Sequence, residues 1–285
     1  MAFETEYSNI IKNTDVISNG LGPALVTKVV GVPLIYAEDL PINTNKKLAR
    51  KNGRLVAEVL AETTAYTASA SSELTQTSVD CVAQKHVVVS ELTAEAMRFT
   101  PITPEQVTQM MADALGRDLD EEIVDLIPGF SQSVTSGSVA TVSDFMDAAF
   151  QIDEEEAEKV GGNLRVLIDK KAAHEIRKEL VNSSAAVFSQ EGMISLLSTM
   201  KAPNGYIGSL PGMDFFAKNT KTDSGKRVSL VFNPDIAFFS MYDTQPSFAA
   251  IERRAEGFYL ELSAYLFAKV VEWYDVAGCQ VRSNP

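Results

Sequence analysis

A chain of 285 residues, 45% of them apolar and with a mean hydropathy of −0.01, is long enough for one large core or two modest ones and reads as soluble and globular. Its net charge of −13 is uneven: between Glu105 and Lys159 fourteen acidic residues stand against Arg117 and Lys159 alone, which excludes a protein whose main surface grips nucleic acid. The two cysteines, Cys81 and Cys279, form no CxxC pair, so a disulfide framework or zinc cluster is excluded and a reducing cytoplasm is the default compartment.

The first residues, MAFETEYSNI, carry acidic groups where a secretory signal needs basic ones. Residues 1–45 read as an extended arm. Gly20, Gly22, Pro23, Gly31, Pro33 and Pro41 argue against a long helix there, and ALVTKVV can pair as a strand. The same breakers interrupt Leu21 to Ala37, the most apolar long window, so no helix crosses a membrane. A basic patch follows at Lys46, Lys47, Arg50, Lys51 and Arg54.

Thr63 to Thr77 is nearly all Ala, Ser, Thr, Gln, Glu and Tyr, too polar for a core yet suited to extended chain. It predicts a projecting β-hairpin with its tip near Ala68 to Ser72. Its outgoing limb, RLVAEVLAE, fits a strand or a short helix equally well. On the return limb, period-two alternation places Val79, Cys81, Ala83, Lys85, Val87 and Val89 on one strand face.

The strongest local signal comes next. Thr103 and Gln106 have capping-box spacing and Pro104 falls at the first helical position. Val107, Met111, Leu115, Leu119, Ile123 and Ile127 recur every four residues, Met110, Ala114 and Leu126 widen the stripe, and Pro128-Gly129 ends it. The result is a rod of about 36 Å with one apolar stripe and a dense acidic face.

SQSVTSGSVATVS reads as a linker, Asp144 to Glu158 as an acidic helix, NLRVLID as a strand and DKKAAHEIRKELV as a helix, an alternation that predicts a mixed α/β unit. Met213 to Ala217 and Val228 to Phe232 are strands around a turn at Asp223-Ser224-Gly225. From Phe258 to Val270 every even position is apolar, which predicts a long strand.

Reactive constellations are sparse. Cys81 and His86, five apart on a strand, point to opposite faces and form no nucleophile–base pair; Cys81 reads as core. His174 sits among charged residues on a solvated helix face. Ser224-Gly225-Lys226 resembles the end of a phosphate loop, but Thr220 and Arg227 occupy positions that need glycine and a hydroxyl, so a hairpin turn is the better reading. Asp118 with Glu122, and Glu121 with Asp125, lie one helical turn apart and could hold a divalent cation or form an acid pair. A solvated face whose basic partners come from elsewhere, such as the Lys46 to Arg54 patch, is favoured instead. Asn182-Ser183-Ser184 is a formal glycosylation acceptor without a secretory context. No catalytic, cofactor-binding or metal-binding residue is assigned.

Taken in order, the arm, polar hairpin, return strand, long helix, α/β unit and final strand resemble the major capsid proteins of tailed bacteriophages, the Hong Kong 97-like fold shared by encapsulins. Three stretches carry the likeness: HVVVSELTAEA with ALGRDLDEEIVDLI, LRVLIDKKAAHEIRKEL, and YLFAKVVEWYDVAGCQVRS. The resemblance implies an α+β chain with an N-terminal arm (1–45), an extended loop (46–80), a peripheral domain with a spine helix (81–130 and 243–272) and an axial domain (131–242 and 273–285). It implies a structural protein without enzymatic activity. Pentamers and hexamers of it would form an icosahedral shell around double-stranded DNA, in a virion assembled in the bacterial cytoplasm.

The implied partners are further copies of the chain, a portal protein, a separate scaffolding protein and a decoration protein, with no membrane. Some family members carry a cleaved N-terminal scaffolding segment; the arm here is short, which points to a separate scaffold. Others crosslink through a loop lysine, and residues 55–80 contain none. The alternatives are an encapsulin shell around a protein cargo, or a cytoplasmic α/β hydrolase or transferase using Asp118 and Glu122.

Overall fold

A computed structural model describes residues 14–40, 44–52, 76–93, 103–137, 139–155, 162–182, 205–243, 246–253 and 259–284. The expected hairpin tip, its RLVAEVLAE limb, Arg54 and Ser183-Ser184 lie outside the described residues.

The first described element overturns an expectation. Thr14–Lys28 is an α-helix (α1), not extended chain, and ALVTKVV belongs to its end rather than to a strand. Ile17, Leu21, Ala24 and Leu25 are buried at helical spacing, and burial of that stripe outweighs the intrinsic penalty of Gly20, Gly22 and Pro23. Pro23 lies on the exposed side, and so does Asn19, whose carbonyl it leaves without an amide donor.

The long helix α2 (Pro104–Leu126) forms as its sequence predicts. Gln106 N–H donates to Thr103 Oγ1 at 3.3 Å, and Thr103 N–H donates to Gln106 Oε1 at 3.0 Å. The stripe from Val107 to Ile127 is buried throughout, and a short 3-10 turn over Ile127–Gly129 closes the helix. One flank differs: Met110 is exposed, and Thr108, Ala112, Gly116 and Val124 are buried instead because α1 covers that side. Gly116 permits the close approach, since a Cβ there would meet Lys28 and Val29 at 3.4 Å.

Two sheets flank this helical pair. The first is organised around β13 (Tyr259–Glu272). Its N-terminal part pairs antiparallel with β4 (Gln84–Thr93) and β12 (Ser247–Arg253), and its end pairs with β11 (Phe238–Tyr242), to which β1 (Tyr36–Asp39) adds in parallel. The predicted alternation holds: Leu260, Leu262, Ala264, Leu266, Ala268 and Val270 are all buried.

The second sheet runs β5 (Gln132–Thr135), β14 (Gly278–Ser283), β10 (Lys226–Phe232), β6 (Leu164–Asp169), β8 (Met213–Lys218) and β7 (Tyr206–Leu210), with β9 (Thr222–Asp223) on β10. β5 falls in the expected linker: its Ser/Thr-rich chain pairs in parallel along β14 at the edge of the sheet. Ser224 and Gly225 have φ of 51° and 76° and close the β9–β10 hairpin, so the phosphate-loop resemblance is a turn. Helices α3 (Val142–Glu154) and α4 (Lys170–Asn182) pack on this sheet. Phe145 of α3 meets Phe215 edge to face at 5.5 Å, and Ala173 and Ile176 of α4 line a small pocket together with Phe215.

Candidate assembly surface

β2 (Lys46–Asn52) and β3 (Gln76–Val82) form a two-stranded antiparallel ribbon, in register from Lys46 opposite Val82 to Asn52 opposite Gln76. Its inner residues Ala49 and Cys81, with the adjoining Ala83, close a small second core against Phe239 and Met241. Trp273 pins it by donating its indole N–H to the Arg50 carbonyl at 3.2 Å. Leu48 and Val82 face outward and are exposed.

The face expected from Val79 to Val89 changes its cover rather than its side. Val79, Cys81 and Ala83 pack with Phe239, Met241 and Phe267, while Lys85, Val87 and Val89 pair with Phe267, Tyr265 and Ser263 on that same side of β13 and are exposed; His86, Val88 and Leu92 turn to the α2 side. The change follows the change of partner at Ala83: β3 pairs with β2, while β4 lies in the first sheet beside β13.

Val87 and Val89 are thereby left outward, 47% and 55% exposed. In register with them across the sheet lie Tyr265 and Ser263 of β13, then Ser247 and Ala249 of β12, with Ile251 44% exposed one pair further on. No described helix lies over these residues; α2 covers the opposite face. Lys85 Nζ lies over the Tyr265 ring, 4.1 Å from its centroid. Among the described residues, the sheet therefore presents a partly apolar surface on this side.

The acidic helix face is tied down, but among the described residues not by the Lys46 to Arg54 patch. Lys28 pairs with Asp113 at 3.0 Å, Lys218 with Asp120 at 2.5 Å, Lys269 with Glu122 at 2.6 Å, and Lys221 with Asp125. Within the patch, Lys46 pairs with Asp80 and Lys47 with Glu38, because the ribbon lies on the sheet rather than on α2. Asp120 is buried: it accepts from the N–H groups of Val30 at 3.1 Å and Gly31 at 2.8 Å as well as from Lys218.

His86, read from the sequence only as a non-partner of Cys81, reaches the candidate carboxylate pair. Its Nδ1 lies 2.6 Å from Asp118 Oδ2, and its Nε2 lies 3.8 Å from Glu122 Oε2. That Nε2 and that Oε2 are both buried without a hydrogen-bond partner. Nothing local in the sequence signals this convergence of residues more than thirty positions apart. Asp118 and Glu122 thus serve as strand-to-helix and helix-to-strand ties. Among the described residues no group of three or more His, Cys, Asp or Glu is arranged to hold a metal ion.

Cys81 is buried as expected, and so is Cys279. Burial, reinforced by the charge of Glu122, pushes the Cys81 thiol up to about 11; burial pushes Cys279 up to about 12. Both are inert thiols at neutral pH. His174 lies exposed on α4, as the sequence reading has it.

The sequence matches no known family profile and no curated protein. The fold does have solved counterparts. The capsid of Ralstonia phage GP4 superposes with a TM-score of 0.68 at 10% identity, over 88% of this chain and 87% of that one. A structure from Mycobacterium phage Che8 gives 0.63 at 17% identity, over 89% and 90%. The holo-SrpI encapsulin complex from Synechococcus elongatus gives 0.56 at 10% identity, over 89% and 86%. The chain shares its fold with phage capsid proteins along nearly its whole length.

Proposed function

We propose that this chain is the major capsid protein of a tailed bacteriophage, with the Hong Kong 97-like capsid fold, and that copies of it assemble into the icosahedral head shell enclosing double-stranded DNA. The observation that carries this reading is the face of the first sheet that no described helix covers, with Val87, Val89 and Ile251 exposed, beside a ribbon whose Leu48 and Val82 are exposed as well. A two-stranded ribbon is marginal on its own in water, and an exposed apolar sheet face favours cover. Each need is met by the other on a neighbouring copy, and such unlike contacts close into rings of five and six.

On this reading the first sheet with α2 is the peripheral domain and spine, taking in β11 (Phe238–Tyr242) and β1 (Tyr36–Asp39), which the expected bounds assigned to the axial domain and the arm; the second sheet with α3 and α4 is the axial domain, and residues 46–80 form the extended loop. The shell needs a portal for DNA entry, a separate scaffolding protein, and accepts a decoration protein. An acidic subunit suits a DNA container, since a strongly basic wall would hold packaged DNA tightly. The match to an encapsulin complex supports a second reading, a compartment around a protein cargo. Contents separate the two: DNA and a portal, or an enclosed protein.

The test is expression of the full chain, alone and with candidate scaffolds, followed by sizing and negative-stain microscopy. Closed shells or five- and six-membered rings are expected. Deleting residues 65–76 is expected to leave a folded subunit, shown by an unchanged circular dichroism spectrum, and to abolish shells. Normal shells from that deletion would overturn the loop-on-neighbour reading.

A further inference from the structure

Phe150 is 64% exposed, the most exposed large apolar side chain among the described residues, and Met146, one turn before it on α3, is 46% exposed. Neither is needed by the fold, because α3 packs through Phe145, Ala148 and Ile152, all fully buried. The two side chains border an open cleft of about 460 Å³ whose other wall is Leu164 and the β7–β8 turn at Pro211 and Met213. Around them the helix surface is acidic: Asp147, Glu154 and Glu155 are exposed, and residues 140–158 contain no basic residue.

The neighbouring helix has the opposite character. α4 packs through Ala172, Ala173 and Ile176 and exposes Lys170, Lys171, His174, Arg177 and Lys178. Lys178 pairs with Glu175 at 3.3 Å, whereas Lys170, Lys171 and Arg177 have no acidic partner among the described residues. The two helices do not neutralise each other within one copy. They meet at the start of α3, where Val142 N–H donates to Glu179 at 3.0 Å, while Phe150 lies two turns further along. Among the described residues, each copy therefore carries an acidic–apolar surface around Phe150 and a basic surface on α4, with neither covering the other.

We infer that α3 of one copy docks on α4 of a second copy of this chain, with Phe150 and Met146 as the apolar anchor and Asp147 and Glu154 facing Lys171 and Arg177. A contact between two different surfaces of identical subunits is head-to-tail, and it propagates into a ring or chain rather than stopping at a dimer. Apolar anchors set in a complementary charged rim are the usual make-up of such interfaces. The inference rests on the shell reading only for the claim that copies meet; it adds which surfaces meet and in what polarity.

Charge exchange tests it in the full-length protein. Asp147→Lys with Glu154→Lys, or Lys171→Glu with Arg177→Glu, each reduces assembly by roughly tenfold or more, and all four substitutions in one chain restore it. Phe150→Asp reduces it without charge rescue. All these positions are exposed, so circular dichroism of the variants stays that of the wild type.

A second measurement does not depend on shells. A chain carrying both Glu154→Cys and Arg177→Cys is treated with a flexible bismaleimide, which the buried native thiols do not consume. It is expected to yield covalent ladders beyond the dimer, and either single variant no more than dimers. Shells without ladders, or charge reversals that assemble normally, overturn the docking. Ladders without shells under any scaffold keep the docking and overturn the shell reading. Neither ladders nor shells overturns both.

Discussion

Asp120 and Glu122 stand two residues apart on the same helix, yet they meet opposite fates. Asp120 is almost wholly buried and fully satisfied: two backbone N–H groups from the end of α1 and the ammonium of Lys218 from β8 converge on it. It ties the N-terminal helix, the long helix and the second sheet at one point. Glu122 is nearly as buried, but only one of its oxygens is used, by Lys269; the other faces His86 Nε2 at 3.8 Å without a hydrogen bond. A buried carboxylate with all its acceptors filled locks its surroundings, whereas one with an idle oxygen leaves a joint with slack.

Breaking the filled site has the largest expected effect. Asp120→Ala strands two backbone donors and an ammonium, and is expected to lower unfolding stability by about 3 kcal/mol. A loss below about 1 kcal/mol in urea denaturation would erase the contrast with Glu122. Gly31→Ala comes next. Its φ of −80° suits any residue, but an added Cβ would lie 2.6 Å from Ile123 Cδ1 and 3.3 Å from Asp120 Oδ1. About 1–3 kcal/mol of overpacking is expected, read as a fall in melting temperature.

The slack site responds less. His86→Ala loses a contact to a half-exposed Asp118, about 1 kcal/mol, and Glu122→Gln is expected to move stability by no more than about 0.5 kcal/mol. A larger loss from Glu122→Gln than from Asp120→Ala would reverse the comparison. The smallest effect lies at the end of β13. Burial first, then the charge of Asp275, hold the Glu272 carboxyl above its usual range, with Lys51 opposing. A carboxyl raised on folding favours the protonated folded state, so its contribution to stability is lost as pH rises through the raised value. Glu272→Gln therefore raises the melting temperature slightly at pH 7, and the gain vanishes below the ordinary glutamate value of 4.5. An identical gain at pH 3.5 would assign the effect to packing instead.

What the sequence makes legible is what depends on near neighbours. The capping box of α2, its four-residue stripe and the alternation of β13 are local patterns, and each is found where the pattern puts it. α1 is illegible because its breakers act locally while its stabilisation comes from α2, some ninety residues on. The change of cover along the strand at Ala83 is hidden for the same reason: only the identity of the partner strands decides which part of one face is buried. Met110 looks like stripe and is surface because α1 covers the other flank. The exposed face of the first sheet is not legible either: alternation puts Val87 and Val89 on one strand face, but only the tertiary packing decides that this part of it is left exposed.

The passage of the ribbon into the sheet has a mechanical consequence. The ribbon continues through Ala83 directly into β4, which is laddered to β13 over ten residue pairs. Tension entering through the ribbon runs along the strand and meets this ladder in shear, loading all ten pairs together, where a pull across the strand would peel them one at a time.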